Sequence, residues 1–223
     1  ADSNGYIDDI SGWDFYEDDN NAGDRTRYGH GNGEARDSTA EGNNGIGDIG
    51  VCPDCTALMV RAGESFVTDV NEFAQGAVFA VDSGASVLQS ALGTINNTTF
   101  AREAIDYAYA NNVVVIASAA DELSYHHNMP STNNHTVYAH ATMFDGAQPD
   151  ISTTFLNFNN CTNWGMQLML STPGKGCSSE AVGKTAGHAG LLYAAGLEAN
   201  LDPPLSAEEV KQLLTMTTDD INV

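Results

Sequence analysis

Basic residues are scarce in this chain: eight Lys and Arg stand against 30 Asp and Glu, a net charge of −22 over 223 residues. Such a surface repels phosphate backbones and anionic membranes, so nucleic acid is not expected as a partner. No run nears the roughly 18 apolar residues of a membrane helix. The opening Ala1-Asp2-Ser3-Asn4-Gly5 is polar, so neither membrane insertion nor a signal peptide is read. Linkers and low-complexity tracts are also missing, and with 42% hydrophobic residues the stretch 1–223 is expected to form one domain around one core. Cysteine is limited to four residues, and Cys52-x-x-Cys55 has no second C-x-x-C to complete a zinc site. Two disulfides, Cys52–Cys55 and Cys161–Cys177, are preferred over free buried thiols or a metal site, and they imply an extracellular compartment.

What is present alternates between two periods. Ala57 to Arg61 suits a short buried strand. Asp69 with Glu72 three residues on reads as a capping box, followed by Val70, Phe73, Ala74, Ala77, Val78 and Val81 at helical spacing up to Gly84. Ser86 to Leu92 reads as a strand closed by Gly93. A helix over about 98–111 follows, then the β-branched run Val113-Val114-Val115-Ile116-Ala117, the pattern of a strand covered on both faces. Thr136 to Ala141 and Met166 to Leu170 are further strands; helices are expected over about 179–196 and from Ser206 onward. Strand and helix alternating with short loops predicts an α/β fold of three layers, a mostly parallel sheet with helices on both faces.

The first 30 residues, rich in Asp, Asn and Gly, read as irregular loop. Asp2, Asn4 and Asp8, with Gly5 and Ile7, partly match a calcium-binding loop of the EF-hand type, although Ser11 stands where the closing Glu belongs. The stretch reads equally as a solvated acidic loop or as a calcium site, and calcium in a structural role is the one cofactor expected.

Chemistry is expected where small polar residues meet the Ala/Gly-rich segment after Cys177. Ser179 there lies near helix N-terminal N–H groups that favour developing negative charge, although Ser178 or Ser179 could equally be an ordinary helix cap. His30, flanked by glycines, suits a general base, since an unperturbed imidazole titrates near neutral pH. His126, His127, His135, His140 and His188 lack such a setting and read as packing or surface residues, with His126 and His127 close enough to line a cleft.

These stretches, in order, resemble the subtilisin-like serine peptidases. Gly29-His30-Gly31-Asn32-Gly33-Glu34-Ala35 resembles the family's HGTxxA motif, Ala91-Leu92-Gly93 its SxG segment, Ala119-Ala120-Asp121-Glu122 its AGNE loop and Cys177-Ser178-Ser179-Glu180-Ala181 its GTSxA motif. The resemblance implies a polypeptide substrate, Ser179 as nucleophile, His30 as base, Ala91 to Gly93 together with Ala119 and Ala120 along the substrate backbone, and Asp121 at the oxyanion site. It also exposes a gap. The family's D-T/S-G motif, which carries the triad Asp on an inner strand, has no counterpart here, since Asp82-Ser83-Gly84 follows His30 and closes a helix. Two sources for the missing acid are open: a cleaved N-terminal fragment retained without a covalent link, or Glu34, which sits four residues from His30 on one helical face. Asp121 replaces a carboxamide donor by a carboxylate, which must be protonated to help an oxyanion. The expected function is secreted endopeptidase; the alternatives are an inactive binding module of the same fold and, from another class, an acidic calcium-dependent surface protein.

Overall fold

A computed structural model describes residues 4–23, 29–65, 69–143, 159–165 and 167–219. The chain runs β1 (Gly12–Asp14), α1 (His30–Thr39), β2 (Met59–Arg61), α2 (Val70–Asp82), β3 (Val87–Ser90), α3 (Thr99–Ala110), β4 (Val114–Ser118), β5 (Thr136–Thr142), β6 (Leu170–Pro173), α4 (Cys177–Glu198) and α5 (Ala207–Met216). All named strand pairs are parallel, in a two-stranded sheet β1-β2 and a four-stranded sheet β3-β4-β5-β6. This is the expected α/β architecture.

The centre is β4, buried along its whole length. Side chains alternate across a strand, and here the alternation divides the core in two. Val113 and Val115 pack with Val70, Phe73, Ala77, Ala104, Ile105 and Ala108 of α2 and α3, whereas Val114 and Ile116 pack with Val182 and Ala186 of α4 and Val210 and Leu214 of α5. A β-branched run serves both helical layers without a polar interruption.

Local chemistry sets the ends. The Asp69 side chain accepts from Asn71 N–H at 2.7 Å and Thr98 from Ala101 N–H at 3.2 Å, while Ser206 and Glu209 form a full capping box. The reciprocal bond expected from Glu72 is not among the bonds of α2, so Asp69 caps that helix by itself.

Several boundaries differ from the expectation. β1 arises inside the stretch read as loop: Asp14 is fully buried, its carboxylate takes Arg61 Nη1 at 2.5 Å and the N–H groups of Tyr16 and Glu17, and the ion pair fixes β1 against β2. β3 stops at Ser90, so Ala91, Leu92 and Gly93 continue as loop. β6 begins at Leu170, later than the apolar run suggested, and Met166 lies outside the described residues. α4 starts two residues early, at Cys177, which places Ser179 inside the first turn and not at its cap.

Glycine sets the distance between α1 and α4. A Cβ on Gly183 of α4 would lie 2.9 Å from Glu34 O, and one on Gly187 would lie 2.6 Å from Val51 Cβ and 3.2 Å from Ser38 O. Only a residue without a side chain lets the two helices lie this close.

Candidate active site

The glycine seam carries the first residue of α1 to the first turn of α4. His30 follows Gly29, whose φ of 62° belongs to the left-handed region, so the turn into α1 is made at a glycine. His30 Nε2 then lies 2.9 Å from Ser179 Oγ, across 149 residues of sequence. Ser179 is buried, and as the third residue of α4 its N–H has no partner one turn back in the helix.

Asp121 sits beside Ser178, not beside Ser179. Its Oδ1 accepts from Ser178 N–H at 3.0 Å and from Ser178 Oγ at 2.6 Å. Gly176 offers no side chain to cap α4, so Asp121 caps it from another loop. Burial of the carboxyl raises its pKa; the two Ser178 bonds and His30 pull the other way and Glu122 adds to the rise, leaving the group above the ordinary Asp range. Ser118 Oγ lies 2.6 Å from Ser178 Oγ and accepts from Ala120 N–H, which ties β4, the Asp121 loop and α4 into one buried network.

Glu34 approaches the same imidazole nitrogen as the serine does: its Oε1 lies 3.7 Å from His30 Nε2. Burial first, then Asp37, Glu180 and Asp121, push its pKa up to about 8, so it is largely protonated at neutral pH. Its other oxygen, Oε2, is buried without a hydrogen-bond partner.

The expected backbone-binding segments flank this centre. Ala91 and Leu92 are half-buried, and a Cβ on Gly93 would strike the Asn128 carboxamide at 1.7 Å. Ala119 is buried with its N–H on Ala139 O, and Ala120, at φ 67°, receives Asn163 N–H on its carbonyl. Asn163 is a residue that sequence reasoning missed. Its Oδ1 accepts from Glu122 N–H and Ser124 N–H, and its Nδ2 donates to Glu122 and to His126 O, so one carboxamide shapes the loop that holds Asp121. Ser118 was missed as well. Neither belongs to a motif, and each meets its partners only through the fold.

Both cysteine pairs form disulfides, Cys52–Cys55 and Cys161–Cys177. The second joins the Asn163 loop to the first residue of α4. The other histidines pack elsewhere: His127 Nδ1 lies 3.0 Å from Tyr138 Oη, His135 stacks on Tyr109, His188 bonds Lys184 O, and His140, buried in β5, has its pKa pushed down to about 4 by burial. Of the calcium loop, Asp2 lies outside the described residues, and Asn4 already gives its oxygen to Tyr6 N–H and its amide to Asp9. Asp8 follows at φ 59°. Among the described residues no group of three or more His, Cys, Asp or Glu is placed to hold a metal ion. The described helices include none long and apolar enough to cross a membrane.

A serine on the first turn of a buried helix, with an imidazole nitrogen at hydrogen-bond distance, is the arrangement of a nucleophile and its general base on an α/β scaffold. The chain belongs to the subtilase family of peptidases, which it matches over residues 1–222. It is 28% identical to a thermophilic serine proteinase of Bacillus sp. (strain AK1), over 96% of this chain and 52% of that protein. It is 27% identical to thermitase of Thermoactinomyces vulgaris, over 86% of this chain and 70% of that one. The chain thus spans about half the length of the first of these relatives. Among solved structures it resembles sphericase (TM-score 0.69, 17% identity, 82% of this chain and 67% of that chain) and a prenylagaramide maturation protease (TM-score 0.67, 20% identity, 86% and 76%) in fold.

Proposed function

We propose that this chain is the peptidase domain of a secreted serine endopeptidase in which Ser179 attacks the scissile carbonyl and His30 is the general base. The observation that carries the proposal is the 2.9 Å contact between His30 Nε2 and Ser179 Oγ. Nε2 accepts the hydroxyl proton as Oγ bonds to the carbonyl carbon; the carbonyl oxygen becomes the oxyanion, and the imidazolium returns the proton to the leaving amine. The Ser179 N–H and the positive end of α4 favour that oxyanion. Asp121 assists only when protonated, because an ionised carboxylate repels it. The two disulfides support an extracellular location. A structural calcium ion on the loop around Asn4 and Asp8 belongs to the same proposal.

A fluorophosphonate probe tests the reading. Labelling confined to Ser179 and abolished in His30→Ala is expected. A second reading, the inactive binding module, is favoured by one observation: the Asp121 carboxylate is held as an acceptor by Ser178, so at alkaline pH it opposes the oxyanion. Absence of labelling at every pH would establish that reading.

A further inference from the structure

The first three residues of α4 are each tied to a different part of the chain. Cys177 is joined to Cys161 by a disulfide, Ser178 gives its N–H and hydroxyl to Asp121, and Ser179 meets His30. The loop that carries Cys161 is in turn bound to the loop that carries Asp121. Asn163 N–H donates to Ala120 O at 2.8 Å, the Asn163 carboxamide accepts from Glu122 and Ser124 N–H, and Trp164 N–H donates to Ser124 O at 3.2 Å. A ring results, running from Cys177 through Cys161, Asn163 and Asp121 back to Ser178. Among the described residues its one covalent cross-link is the disulfide, which spans 16 residues of sequence.

Both cysteines sit where a side chain is unwelcome. Cys161 has φ 51° and Cys177 φ 58°, in the left-handed region that residues with a β-carbon occupy only under restraint. GTSxA has Gly at the position of Cys177, and glycine adopts such a φ without cost; this chain needs a hold instead. The approach to α4 is fixed at Gly174, whose N–H donates to Thr142 O and whose carbonyl accepts from the Asn160 amide, but Gly176 offers no side-chain cap. Cys161 is thus the anchor at the residue where the helix starts. Both residues of this bridge are half-buried and within reach of a small thiol. In the other disulfide Cys52 is 3% exposed, and a Cβ on Gly190 of α4 would lie 2.8 Å from Cys55 Sγ.

Exchange with a small thiol opens the exposed bridge. A thiolate bonds to Cys161 Sγ, the S–S bond breaks and Cys177 leaves as thiolate, favoured by the positive end of α4; a second thiol then displaces Cys161. Two thiols become one disulfide as the two cysteines are reduced. Without the bridge Cys177 is free to leave the left-handed region. The planar peptide between Cys177 and Ser178 turns with it and carries the Ser178 N–H off Asp121.

We propose that Cys161–Cys177 is a redox switch on Ser179. Closed, it holds the first turn of α4 against Asp121 and His30; opened by a small thiol, it lets that turn relax, and reaction at Ser179 slows. Such a device leaves the nucleophile idle in a thiol-rich compartment and arms it in an oxidising one. The effect on reactivity rests on the peptidase reading; the movement of the turn does not.

The test treats the full chain with dithiothreitol under native conditions and locates the opened pair by alkylation and peptide mass. Cys161–Cys177 is expected to open before Cys52–Cys55. Hydrogen exchange at the Ser178 amide should then speed about tenfold or more, and fluorophosphonate labelling of Ser179 slow about tenfold or more. Far-UV circular dichroism should stay unchanged, and oxidised dithiothreitol should reverse both effects. Cys161→Ala/Cys177→Ala should label at the reduced chain's rate with or without dithiothreitol. Cys161→Ala/Cys177→Gly, in which the left-handed φ is free, should label about fivefold faster than the Ala variant or more, with slower exchange at Ser178. A bridge that stays closed in the folded chain, an unchanged Ser178 amide once it is open, loss of circular dichroism together with labelling, or no difference between the Gly and Ala variants would each overturn the proposal. Where the oxidised chain is not labelled at any pH, the peptidase reading fails, and the Ser178 amide, in parent and variants, decides the switch.

Discussion

At the scale of single residues, the two perturbed carboxyls both favour the acidic side, one through reactivity and the other through stability. The raised pKa of Asp121 means that it donates to an oxyanion only on the acidic side of its titration, so Asp121→Asn should remove that limit. The variant is expected to react with fluorophosphonate on the order of 10²–10³ faster at alkaline pH, the magnitude of one oxyanion donor, with a flattened alkaline limb in the pH–rate profile. Glu34 affects stability. Its folded pKa of about 8 lies above the ordinary 4.5, so its stabilising effect is complete below 4.5 and is lost as pH rises through 8. Glu34→Gln should make unfolding free energy flatter over that window by at most about 5 kcal/mol, as read by urea titration at successive pH values. Because Glu34 meets His30 at the nitrogen that faces Ser179, the same change should alter labelling of Ser179 by less than about tenfold, far from the 10⁴ of a triad acid.

At the scale of elements, α1 and α4 behave as one unit. Gly183→Ala would place a methyl 2.9 Å from Glu34 O, backbone that cannot yield without moving α1. The variant should cost about 1–3 kcal/mol and slow labelling of Ser179 at least tenfold while circular dichroism stays unchanged; equal rates would show that the seam does not set the pair. Elements with a strong period could be read from the sequence: α2 from Val70, Phe73, Ala77 and Val81, and β4 from its β-branched run. β1 could not, because Gly12-Trp13-Asp14 becomes a strand through Arg61, 47 residues away from Asp14, and no local pattern announces that pair. The reactive pair was legible because the His30 and Ser179 stretches each resemble a motif. Ser118 and Asn163 were not, since each is a lone polar residue whose meaning depends on what lies opposite.

At the scale of the molecule, a net charge of −22 works against compaction. Raising NaCl from 0.01 to 1 M shortens the screening length from about 30 to about 3 Å and should raise Tm. If calcium occupies the Asn4 and Asp8 loop, CaCl2 at matched ionic strength should raise Tm further, and chelator should reverse the difference; equal curves would remove calcium from the proposal. Among the described residues the strands divide into two parallel sheets, β1-β2 and β3-β4-β5-β6, a division that residue order alone could not locate.

The seam between α1 and α4 has a consequence for how such a protein could be governed. Nucleophile and base are gathered by two helices that touch through glycine. The reacting distance is therefore fixed by how closely two backbones approach, so whatever parts α1 from α4 by the width of a methyl group also parts base from nucleophile.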